Sequence, residues 1–314
     1  MRTTLLLAAL VITAVPHASG QAAPESGRAP SLQVDAVALD REGNLVTDLR
    51  PTDVEVWLEG YRIPLESLTA LTENDERRRR SVVLVLDDMT IAPQVIPRIR
   101  QAAKQVVDRL EPGDRMSVGM LSGAGLLTTG DAAVLRQAIE RFTLRATAPM
   151  RPEDLGAHVF ATLANASRQV AEAPGHRKTV ITIGPAWVFD TPVPSSAVSR
   201  NLRDEWTAAL RAMAAANAVL YVIDPGGVGT GRIAGGDGGL ASDTGGHAFT
   251  NTNDLSGTID RVMREASGYY ILRFEDPPFF RTARLRKLEV RSKRDGVTLR
   301  ARRLIPGTGT ARIR

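Results

Sequence analysis

The sequence predicts an α/β fold: a doubly wound, mostly parallel sheet, with a small accessory β unit formed by N- and C-terminal segments. Three observations carry this. Short, continuously apolar runs, SVVLVLD, TVITIG and AVLYVID, have the texture of strands buried on both faces of a parallel sheet. Between them lie longer stretches with apolar residues at helical spacing, so strands and helices alternate along the chain. On either side of this block the period changes to two, the mark of half-buried strands. A chain of 314 residues has room for one large domain and a small one.

Leu32, Val34 and Ala36 alternate with polar neighbours, and Asp40 to Asn44 reads as a turn. Val54, Val56 and Leu58 alternate again before a turn at Glu59-Gly60, and Ile63 and Leu65 follow. These residues make residues 31–72 an N-terminal β segment. Four arginines, Arg77 to Arg80, end a charge run that reads as a solvated linker. The α/β domain then spans residues 79–266. After Pro93, residues Val95, Ile96, Ile99, Ala102, Ala103, Val106, Val107 and Leu110 share one helical face, and Glu111 to Asp114 stop that helix. MSVGML is the next strand, and Asp131 caps a helix with Leu135, Ala138, Ile139 and Phe142 inward. Further helices carry Leu155, Val159, Phe160, Leu163 and Val170; Leu202, Trp206, Leu210 and Met213; and Leu255, Ile259, Val262 and Met263. Residues 267–304 hold the strand YYILRF and two alternating runs joined through Arg294-Asp295-Gly296, a hairpin signal; residues 305–314 are a tail.

Residues 1–20 have a charge at Arg2, an apolar run from Leu5 to Val15, then Pro16 and small residues, the layout of a secretory signal peptide. The run is shorter than the roughly 20 residues that span a bilayer, so cleavage is expected rather than anchoring. Residues 21–30 read as a linker. The mature chain carries no other apolar stretch long enough to span and is expected in the periplasm or outside the cell. Cysteine is absent, which excludes disulfides, thiolate metal sites and Cys nucleophiles.

Motifs for catalysis are sparse. GxxxxGK[ST], GxSxG and HExxH are missing, and Ser122 in GMLSGAG has Met120 where a nucleophile elbow needs glycine. His158, His176 and His247 are scattered. Ten of the 21 residues from Gly226 to Gly246 are glycine, and Gly229-Thr-Gly231-Arg-Ile-Ala234 is the nearest approach to a dinucleotide fingerprint. A nucleotide-dependent enzyme using loop 226–239 is therefore one alternative, against a plain surface loop.

Asp87 ends the run SVVLVLD, at the edge where open α/β sheets bind ligands. The order of elements, this Asp and the later LASDTGGHAF resemble von Willebrand factor type A domains, which are Rossmann-like. More narrowly the chain resembles the VWFA-related proteins of acidobacteria, through VDAVALDREGNLVTDLRPTDVEVWLEG, GDRMSVGM, APGHRKTVITIG and ASGYYILRF, over about residues 32–303. The resemblance implies a protein-binding or adhesion function at a metal-ion-dependent adhesion site built from Asp-x-Ser-x-Ser, a Thr and a second Asp. Matched residue by residue, Asp87 fits, but Met89 and Ile91 replace the serines, Ile183 replaces the second Asp, and the Thr position falls near Ala157. The site is degenerate, with Asp88 and Thr90 as substitutes, and implies at most weak binding of Mg²⁺ or another divalent cation. The other reading is that Asp87 and Asp88 cap or brace their loop.

The formal charge of +5 is unevenly spread: residues 281–314 carry +10 and the rest −5. Arg286, Lys287, Glu289, Arg291 and Lys293 alternate with apolar residues as on a strand with one solvated face. That face either guards an edge or draws an anionic envelope polymer, a glycan rather than nucleic acid, to Arg281 through Arg303. The sequence as a whole is read as an exported, non-enzymatic module for a protein partner. Its expected contact loops are Asp87 to Pro93, Arg145 to Asp154 and Pro185 to Ser196, since loops on rigid scaffolds carry binding.

Overall fold

A computed structural model describes residues 31–71, 79–123, 125–145, 148–189, 200–229, 239–278 and 284–308. The first strands are β1 (Ser31–Leu39), β2 (Val54–Leu58), β3 (Tyr61–Ile63) and β4 (Leu65–Leu71). The middle of the chain runs β5 (Ser81–Leu86), α1 (Ile96–Asp108), β6 (Arg115–Met120), β7 (Leu127–Thr129), α2 (Ala132–Glu140), α3 (Pro152–Gln169) and β8 (Lys178–Ile183). It continues through α4 (Ala186–Phe189), α5 (Arg200–Ala215), β9 (Ala218–Ile223), α6 (Leu240–Asp243), β10 (His247–Phe249) and α7 (Leu255–Ser267). The last strands are β11 (Tyr269–Glu275), β12 (Arg286–Ser292), β13 (Thr298–Ala301) and β14 (Leu304–Ile305).

These strands form three sheets, ordered β13-β1-β11-β4, β10-β9-β8-β5-β6-β7 and β14-β12-β2-β3. The first and third are antiparallel throughout. The six-stranded sheet is mixed, because β7 runs against β6 while its other pairings are parallel. The expectation of a doubly wound, mostly parallel fold with a small accessory unit is thereby corrected. Eight of the fourteen described strands lie in two wholly antiparallel sheets, and the chain is β-rich. The flanking segments are no appendage, since Val34, Ala36, Val56, Leu58, Leu272, Phe274 and Leu288 close a core of their own.

The mixed sheet is covered on both faces. Val83, Val85, Val180, Leu220 and Val222 pack with Val159, Phe160, Leu163, Leu210 and Met213 on one side. Val82, Leu84, Leu86, Ile181 and Ile183 meet Ile99, Val106, Leu135, Ile139, Ile259 and Val262 on the other. Burial on both faces is why β5, β8 and β9 read as continuous apolar runs. Asp131 caps α2 by accepting from the amides of Ala133 and Val134, and Asp254 caps α7 through Gly257.

The hairpin expected across Arg294 to Gly296 splits between sheets. β12 pairs with β2 and β14, whereas β13 pairs with β1 through Ala36 opposite Ala301. The Asp-Gly turn carries the chain from one antiparallel sheet to the other. Two glycines permit close approaches elsewhere. Gly175, at φ +90, has the carbonyl of Arg79 where a Cβ would lie 1.8 Å away, and Gly245, at φ +89, sits against the backbone of Ala301 and Arg302 at 2.9 and 2.8 Å. No side chain fits either position without moving backbone.

Several charges expected in solvent are buried. Arg80, in the run read as a solvated linker, is 4% exposed. Its Nε donates to Asp114 at 2.8 Å, and its other nitrogens donate to the Arg109 carbonyl and Ser267 Oγ. Arg286, placed by alternation on the solvated face, is buried against Asp276 at 2.5 Å. Arg302 donates to the carbonyls of Met213 and Ala218, at the end of α5 and the start of β9, and burial lowers its pKa to about 10. Asp35 on β1 joins the mixed-sheet body through His176 and Asn217, at 2.9 and 2.8 Å.

Candidate functional site

Parallel strands end where the loops into the following helices begin, so the carboxyl edge of the mixed sheet gathers the segments after β5, β6, β8 and β9. Three aspartates sit in this rim. Asp87 is wholly buried: its Oδ1 accepts from the amides of Met89 and Thr90 at 2.9 and 2.8 Å, and its Oδ2 accepts from the Thr90 hydroxyl. Its amide donates to the Ile183 carbonyl, tying the loop to the end of β8. Burial pushes the Asp87 carboxyl above the ordinary carboxylate range, aided by the charge of Asp88 and opposed by the hydrogen bonds from Thr90 and Met89.

Asp88 faces the other way. It accepts from the Ser122 amide at 2.9 Å and the Ser122 hydroxyl at 2.6 Å, while its carbonyl accepts from the Arg145 amide at 2.7 Å. One residue therefore joins three loops: its own, the one after β6, and the one leading to α3. Asp224 does the same after β9. Its Oδ2 accepts from the Ala186 amide at 3.0 Å and its Oδ1 from Gly226 at 2.8 Å. Sequence reasoning missed Asp224 and the role of Ser122. The signal was present, because AVLYVID ends in Asp as SVVLVLD does.

The residues present do not fit the divalent cation implied by the resemblance. A hard cation needs about six oxygen ligands. Every carboxylate oxygen of Asp87 and Asp88 already accepts a hydrogen bond from its own loops. Met89 and Ile91 stand where the serines would, both packed against the apolar core, and Ile183 is buried. Among the described residues no group of three or more His, Cys, Asp or Glu could hold a metal. Thr90 serves Asp87, and Ala157 is buried in α3.

The remaining expected sites are separate from one another. His158 lies on α3 within 2.9 Å of the Leu121 carbonyl, His176 contacts Asp35, and His247 stacks edge-on to Phe249. Most of the glycine-rich loop proposed for a nucleotide lies outside the described residues, at 230–238, as do residues 146–147 of the second contact loop, 190–196 of the third and Arg281 of the basic segment. The described start of the glycine loop is pinned by side chains, Asn253 accepting from Val228 and Asn251 from Gly229. Among the described residues no helix is long and apolar enough to cross a membrane. Residues 1–20, read as a signal peptide, also lie outside them.

No family model matches the chain, and no curated protein matches it. Among solved structures, it is similar to the three N-terminal domains of the type V pili tip protein Mfa5 from Porphyromonas gingivalis, at 15% identity and a TM-score of 0.28, covering 57% of this chain and 30% of that one. It is also similar to a mutant of the PilB minor pilin from Streptococcus sanguinis, at 9% identity and a TM-score of 0.33, covering 60% of this chain and 55% of that one. The chain thus spans well under two thirds of either structure, and backbone agreement at these scores assigns no function.

Proposed function

We propose that this chain is an exported, non-enzymatic binding module that recognises a protein partner through the loop rim at the carboxyl edge of its mixed sheet. The observation that carries this reading is the use made of the three aspartates. Each is consumed in holding loop backbone in place, so the described part of the rim is ordered before a partner arrives. Pre-ordered loops lose little conformational freedom on binding, which favours recognition. Carboxylates bound to amides are poor candidates for proton transfer or metal chemistry. The rim also exposes apolar side chains, Met150 before α3 at 41% and Val228 after β9 at 61%.

The test is site-specific photo-crosslinking in the producing cell. A crosslinking residue replacing Met150 or Val228 is expected to capture one discrete protein. The same residue at Tyr61, as exposed as Val228 and on β3 of an antiparallel sheet, is expected to capture none. Equal capture from Tyr61 and the rim positions would remove the rim as the recognition surface.

A further inference from the structure

A second surface lies away from the rim. β10 ends the mixed sheet and β13 ends one antiparallel sheet, and the two face a common groove of about 570 Å³. β12 supplies its floor. An edge strand presents a row of backbone N–H and C=O groups able to pair with another chain, and proteins normally blunt or cover such edges. Here two edges open into one groove, which is lined by Lys287, Arg291 and Arg303 with a single acid, Glu289; Arg300 lines it too but is paired with buried Glu265. Glu289 is shared between Lys287 at 2.8 Å and Arg291 at 2.5 Å, whose side chains are 61% and 56% exposed. One carboxylate between two solvated cations leaves the wall positive.

We infer that this groove takes an acidic, extended segment of a partner protein, which adds to the β13 edge as a strand and sets its carboxylates against Lys287 and Arg291. Charge complementarity selects the acidic character. The open edges select a polypeptide, because only a peptide backbone alternates donors and acceptors at the spacing a strand offers. β13 provides four residues, about 13 Å at the strand rise, so the docked stretch is short. Side chains on an added strand alternate in direction, so acids at every second position would face the basic wall together. An anionic glycan would use the charges and ignore the edges.

The inference concerns elements that the rim does not share, so it and the proposed function can fail separately. Fluorescence anisotropy with a labelled decapeptide of alternating Glu and Val, at low and moderate salt, reads it directly. We expect Lys287→Glu with Arg291→Glu to weaken binding at least about tenfold, while Asp88→Ala at the rim leaves it unchanged. A peptide of the same charge with every backbone nitrogen methylated has no N–H to donate to an edge, and on the wild-type protein we expect it to bind at least about tenfold more weakly. Binding that survives charge reversal, or that is absent up to millimolar peptide, overturns the inference. So does equal affinity for the methylated peptide, or tighter binding of a heparin fragment through the same residues, either of which makes the groove a site for charge alone.

Discussion

At the carboxyl end of the mixed sheet three buried aspartates accept from backbone amides; at the amino end two buried arginines donate to backbone carbonyls. Asp87, Asp88 and Asp224 hold the amides of Met89, Ser122 and Ala186, and Arg80 and Arg302 hold the carbonyls of Arg109 and Met213. The direction of the helices accounts for the arginine end. A helix following a parallel strand begins at the strand's carboxyl end, where N–H groups are unpaired and the dipole is positive. It ends near the strand's amino end, where carbonyls are unpaired and the dipole is negative. Arg109 is the residue that closes α1, and Met213 lies in the last turn of α5. Charged side chains at both ends are fitted to backbone.

Arg80→Ala should strike this arrangement hardest. It leaves Asp114 buried without its partner, a change that costs about 3–5 kcal/mol when a buried pair is broken, and urea unfolding should show a lowered midpoint. A loss below about 1 kcal/mol would mean that water reaches Asp114 and that the amino end is not closed as described. At the other end, Asp88→Ala removes the acceptor of two Ser122 hydrogen bonds and should cost about 1–3 kcal/mol. Faster amide exchange at Ser122 and Arg145 would accompany it. Unaltered exchange at both would show the loops to be held by other contacts.

The smallest effect concerns pH. Burial raises the Asp87 carboxyl, so between its unfolded value near 3.8 and its raised folded value the folded state holds more protons than the unfolded one. Stability contributed by this group is therefore greatest below the unfolded value and declines as pH rises through the folded one. Asp87→Asn keeps the Oδ1 acceptor for the Met89 and Thr90 amides, reverses the contact with the Thr90 hydroxyl so that the new NH2 donates, and removes the titration. Its thermal midpoint should lie within about 1 kcal/mol equivalent of wild type at neutral pH, with a flatter profile through the acid range. A profile unchanged by the substitution would assign that slope to other groups.

How much of this was legible depended on whether a signal was local. β5, β8 and β9 are buried on both faces and announced themselves as apolar runs, and Asp131 announced the cap of α2. β7, β10 and β14, at two or three residues, are too short to express a period, and β4 is half-exposed with broken alternation. The turn at Arg294 to Gly296 carried a sound hairpin signal, but the partner of β13 is β1, at the far end of the chain. Arg80 and Arg286 were read as solvated because the burial of a charge is decided by its partner, Asp114 or Asp276, which no spacing rule names. The pattern of a metal site drew attention to Asp87 and away from Asp224, which does similar work with a different neighbour.

The pairing of β1 with β11 and β13, and of β4 with β11, sets an order of events during synthesis. Both strands emerge early, and among the described strands their only partners come after α7. A growing chain can bring β5 through β10 together while the apolar faces of β1 and β4 still wait. The antiparallel body therefore closes last, its slow step being the meeting of distant segments, and a ribosome-bound chain halted anywhere before Tyr269 would expose those faces to chaperones.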